Sequence, residues 1–178
     1  IDNNFSFLLF QNEEIIDNMW NIQKEQNKVV LSQDIRESLY IEKNIYIPYN
    51  SYTFNSEIKI KNKSNEKKEI TNLVLNLFTL NQQETTKKSN SRYLTFELFV
   101  GNGNKVIRKN IARFKGEEIF ENSQFVAYKC GYALILYRPE KPMDVFVKND
   151  DNFFSSGFLL NEKITLKENE EKIFKFNF

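Results

Sequence analysis

The sequence predicts a mainly β protein, an antiparallel β-sandwich of immunoglobulin-like or jelly-roll type, with about eight to ten strands and one N-terminal amphipathic helix. Three observations predict it. From residue 40 onward apolar residues recur with a period of two. Pro, Gly and Asn clusters punctuate that pattern at short intervals. No helical period falls between the strands, as a parallel α/β sheet would require.

In chain order, Ile15, Ile16, Met19, Trp20 and Ile22 are spaced mainly by threes and fours, with Glu13 and Glu14 leading and Lys24 and Lys28 trailing. Acid first and base last suits a helix dipole, so residues 12–27 are expected to be helical. Ser32, Asp34, Ile35 and Leu39 suggest a further short helical turn over 32–39. Strands are expected at 40–47, 52–60, 70–80 and 92–100, with a lysine-rich polar connection between the second and third. Asn102-Gly103 between two alternating runs predicts a type I′ turn joining 92–100 to 105–114. Later strands are expected at 124–130, 132–138, 143–148, 157–166 and 171–178. The whole chain, 1–178, reads as a single domain, with 1–39 a partly helical segment packed on it or projecting from it.

Composition narrows the chemistry. Twenty-five basic and twenty-four acidic side chains leave a net charge of +1. That removes the electrostatic argument for a nucleic-acid partner. Histidine is absent, which excludes Ser-His and Cys-His nucleophile pairs and imidazole-dependent zinc sites. No cofactor motif is present, and no apolar run reaches the roughly 18 residues of a membrane-spanning helix. The single cysteine, Cys130, forms no intramolecular disulfide and is expected to be a buried, inert thiol. The chain starts at Ile1 and reads as a mature or trimmed product, with an extracytoplasmic, surface or virion setting favoured over the cytoplasm. The sequons at Asn4 and Asn62 are no more than chance supplies.

Candidate sites follow from residue type. Pro48 sits among Tyr46, Tyr49, Tyr52 and Phe54. Tyrosines in a proline-broken segment offer large contact area at little entropic cost, for a protein partner or a glycan. Ile16 and Trp20, on the apolar stripe of the expected helix, are the matching docking residues. Asp150 and Asp151 supply oxygen atoms of the kind calcium takes, but without the spacing of an EF-hand loop, and read as a solvated turn. Glu97, flanked by Tyr93, Thr95 and Phe99, is the residue a His-free glycosidase would use; an ordinary cross-strand glutamate is the simpler reading.

The phrase Ile58-Lys59-Ile60-Lys61-Asn62 resembles those of bacterial immunoglobulin-like modules, as does Leu159 to Phe176 with its charged turn. This resemblance implies a fold and no function. The alternating C-terminus Ile173 to Phe178 is similar to the last strand of outer-membrane barrels, yet the charged outer faces elsewhere favour a strand closing a sandwich. Together these readings predict a non-enzymatic structural or interaction protein. It would be a component of a larger assembly, cell surface, secretion apparatus or virion, partnered by other proteins. The alternatives are a carbohydrate-binding module using exposed tyrosines and, behind it, the Glu97 glycosidase.

Overall fold

The computed structural model describes residues 9–11, 14–15, 20–35, 38–50, 52–71, 73–81, 96–149 and 153–177. Sixteen strands and no helix are present among them. They are β1 (Leu9–Gln11), β2 (Glu14–Ile15), β3 (Asn21–Lys24), β4 (Lys28–Ile35), β5 (Leu39–Tyr46), β6 (Asn55–Asn62), β7 (Lys68–Ile70) and β8 (Leu73–Asn81). The second half holds β9 (Phe96–Asn102), β10 (Lys105–Asn110), β11 (Gly116–Cys130), β12 (Ala133–Pro139), β13 (Met143–Asn149), β14 (Phe153–Leu160), β15 (Ile164–Leu166) and β16 (Glu171–Asn177).

All pairings are antiparallel. One run is β2-β1-β8-β14-β13-β11, with β9 and then β10 added along the C-terminal half of β11. The other is β16-β6-β5-β4-β3. Strand β12 joins them, pairing β11 through Ala133 to Tyr137 and β16 through Arg138 and Pro139. A separate ribbon pairs β7 with β15.

Alternation explains the core. Ser56, Ile58, Ile60 and Asn62 are buried on β6, while Glu57, Lys59 and Lys61 between them are half-exposed. Ile41, Ile58, Ile60 and Phe176 belong to the same buried cluster as Leu75, Val126, Val145, Val147 and Phe158. The stack of Phe158 on Phe176, with centroids 5.5 Å apart and planes 7° from parallel, ties β14 to β16.

The N-terminal helix over 12–27 is corrected. Its described residues include the two strands β2 and β3, and Asn21 to Lys24 pair with Ser32 to Val29. Ile22 belongs to a strand rather than a helical stripe, because β-branched side chains suit the pleat and a non-local partner, β4, supplies the backbone bonds. The helical turn at 32–39 gives way to β4 for the same reason, since it pairs along its length with β5. Residues 21–24 and 28–35 are therefore strands of a sheet. The strand number also exceeds the eight to ten expected, and β11 starts at Gly116 rather than 124. A bulge between Phe120 and Ser123, with Asn122 at φ 51°, breaks its alternation and hides it from a period-two reading.

The hairpin β9–β10 forms as expected but one residue later. Asn102 pairs with Lys105, and among the turn residues Gly103 alone has positive φ (57°). This is glycine at the first central position, in place of the two positive-φ residues of a type I′ turn.

Burial holds two phenols protonated. It pushes Tyr137 up to about 12 and raises Tyr128 further, although Tyr128 donates to Ser156 Oγ at 3.1 Å. An unfolded tyrosine ionises near 10, so their contribution is complete below that pH and disappears as pH rises through the folded values. For Tyr137 alone the loss by pH 12 is on the order of 2 to 3 kcal/mol. Urea midpoints should fall steadily above pH 10, and the fall should be shallower in Tyr137→Phe.

Candidate functional site

An open cleft of about 1080 Å³ lies where β12 meets the β3–β5 end of the second sheet. Ile22, Leu31 and Ile45 come from β3, β4 and β5; Tyr52 to Phe54 come from the loop entering β6 and Asn55 from its first position; Leu134 to Arg138 come from β12 and Asn177 from β16. Ile22 and Leu31 are opposite one another in register. They meet the cleft because β3 is the last strand of its sheet among the described residues.

The lining is mostly apolar and much of it faces water. Ile22 is 61% exposed, Leu134 60% and Tyr52 fully exposed. Exposed aliphatic groups are thus gathered in one concavity. The polar side consists of Arg138, Asn177 and Asn55, which occupy one register row across β12, β16 and β6. Behind Leu31 in the pairing is Lys43, 2% exposed, whose ammonium is held well below the ordinary lysine range by burial.

Of the residues singled out in the sequence, Tyr52 lines the cleft. Tyr49 is 95% exposed on the preceding turn, where Asn50 takes φ 64°. Tyr46 belongs elsewhere. Its hydroxyl donates to Glu57 Oε2 at 3.2 Å, and Lys28 Nζ lies 5.7 Å from its ring centroid. Trp20 is partly buried against the core. Ile16, Asp150 and Asp151 lie outside the described residues. The sequence does not single out Leu134 and Leu136, because Tyr132 to Tyr137 is apolar on both faces and its pattern does not tell an exposed face from a buried one.

Cys130 is exposed, contrary to expectation. It shares a face with the buried Val126 and Tyr128, but the strand ends there in a turn at Gly131. Glu97 is buried, and Arg108 Nε donates to its Oε1 at 2.9 Å with Lys129 Nζ 3.6 Å from Oε2. The Arg108 hydrogen bond and charge hold this carboxyl below the usual carboxylate range, which suits an ion pair rather than a proton donor. Because the folded value is lowered, its contribution is present above the unfolded value near 4.3 and is lost as pH falls through the folded one. With Arg108 itself largely exposed, Glu97→Gln should cost about 1 to 2 kcal/mol at pH 7. The difference from the parent should shrink at pH 3.5, as urea unfolding at the two pH values would reveal.

The chain matches no family model and no curated protein sequence. Its fold is similar to that of solved structures. One is a putative aldose 1-epimerase from Escherichia coli K12, with a TM-score of 0.54 and 9% identity over 89% of this chain and 67% of that one. The GH36 α-galactosidase AgaA from Geobacillus stearothermophilus gives a TM-score of 0.60 at 8% identity, covering 97% of this chain and 29% of its own. AgaB from the same organism gives 0.58 at 9% identity, with the same coverages. The chain thus spans under a third of the α-galactosidases. At these identities the likeness is one of fold.

Proposed function

We propose that this protein is a non-catalytic β-sandwich module that acts by contact, binding an extended apolar segment of a partner protein in the cleft beside β12. It would serve as one domain of a larger assembly on a cell surface, in a secretion apparatus or in a virion. The observation that carries this reading is the concentration of exposed Ile22, Leu134 and Leu136 in one concavity. Aliphatic walls suit apolar side chains; the titratable side chains among the lining residues are Tyr52, Tyr137 and Arg138. Each is a hydrogen-bond donor that can bind and orient a partner segment.

A second reading, a carbohydrate-binding module, is favoured by Tyr52 beside Asn55 and by the fold's likeness to an epimerase and to α-galactosidases. Tyr52 would stack on a sugar ring, and the asparagines would bond its hydroxyls. Panning a random peptide library on the protein should return apolar peptides whose binding is lost in Leu134→Asp but kept in Tyr49→Ala. A glycan array should stay silent. A glycan whose binding needs Tyr52 and ignores Leu134 would replace the first reading with the second.

A further inference from the structure

Arg138 is the one charged side chain among the residues lining the cleft. It makes no ion pair among the described residues, so its guanidinium is open to a ligand. Asn177 is its cross-strand partner, and Asn55 is the partner of Asn177. One guanidinium and two carboxamides therefore stand in a row, next to the aliphatic wall formed by Leu134 and Leu136. A guanidinium binds a carboxylate through two parallel hydrogen bonds, and the pairing strengthens where apolar neighbours exclude water.

We infer that the segment taken by this cleft carries an acidic side chain, which Arg138 receives while apolar side chains occupy the walls. This rests on the proposed binding of a protein segment. The five consecutive lining residues Leu134 to Arg138 extend over roughly 13 Å, the length of an extended stretch of four to five residues. The acid belongs at the end of that stretch where Arg138 lies, and the apolar residues face Leu134 and Leu136.

The test is to pan one random peptide library against the parent protein, Arg138→Gln, Arg138→Glu and Leu134→Asp. Peptides from the parent should be enriched in Asp or Glu at one position flanking the apolar residues. That enrichment should vanish with Arg138→Gln and turn to Lys or Arg with Arg138→Glu. A recovered acidic peptide, made synthetically, should bind the parent about ten-fold more tightly than its Asn or Gln counterpart, and Arg138→Gln should bind the two alike. Apolar peptides lost in Leu134→Asp but lacking acid enrichment would overturn this inference and leave the cleft's role standing. Acid enrichment that persists in Arg138→Gln would overturn it equally. Recovery of no peptide, or of peptides indifferent to Leu134→Asp, would overturn the cleft reading and this inference with it.

Discussion

Gly157→Ala is expected to remove about 4 kcal/mol or more of stability, a large share of what a domain of this kind has. Gly157 is on β14, opposite Asn76 of β8, at a point where the register shifts between Ser156 and Gly157. A Cβ there would lie 2.2 Å from the Leu75 carbonyl oxygen, 2.7 Å from Asn76 Cα and 2.8 Å from the Leu75 carbonyl carbon. All three are backbone atoms, so no rotamer change relieves the clash and the two strands must separate. Separation would disturb Leu75 and Phe158, both wholly buried, and with them the Phe158–Phe176 stack. Gly103→Ala is the control. Its Cβ would meet nothing within 4 Å, and only the positive φ opposes it, at about 1 to 2 kcal/mol. Thermal unfolding should rank the parent first, Gly103→Ala next and Gly157→Ala far below. A Gly157→Ala midpoint within a few degrees of the parent would mean that β8 and β14 approach less closely than described.

That close approach was not legible in the sequence, whereas much of the strand pattern was. Alternation over Ile58 and Ile60 against Lys59 and Lys61 announced β6, and Gly103 announced the β9–β10 hairpin, because both signals are local. The cleft is the opposite case. It needs Ile22, Tyr52 and Leu134, residues spread over more than a hundred positions, and it comes into being only through the registers β3–β4–β5 and β12–β16. Tyr52 could be picked out because a proline-broken stretch points to exposure. Ile22 fits a helical stripe in the sequence, since spacings of three and four from Ile15 to Ile22 look the same whether or not a distant strand competes for the backbone. Leu134 and Leu136 carried no local mark of exposure at all. Asn62 is another non-local case: its sequence context marks only a chance sequon, and its role as a buried joint comes from Leu166 and Lys167.

Asn62→Ala should cost about 3 kcal/mol, because the side chain completes the end of β6 and bridges to a loop more than a hundred residues away. Asn62 is fully buried. Its amide nitrogen shares two hydrogens among three carbonyls, those of Glu66 at 2.7 Å, Lys167 at 3.0 Å and Leu166 at 3.2 Å. Its Oδ1 accepts from the Ser64 backbone N–H at 3.0 Å and from the Ser64 hydroxyl at 2.8 Å. Alanine would remove all of these bonds and leave the buried Leu166 carbonyl without its Asn62 partner, and a glycan on the nitrogen would do the same. Asn62→Asp should be worse at pH 7, since a carboxylate would face carbonyl oxygens where the amide now donates. The protonated acid can still donate, so the folded-state value of that aspartate would be raised above the unfolded value near 3.9. Its stability would then be highest below the unfolded value and would decline as pH rises through the folded one. Measured by urea unfolding, Asn62→Asp should approach Asn62→Ala near pH 4 and fall behind it at pH 7. A pH-independent gap between the two variants would show that this amide does not direct its hydrogens at the loop.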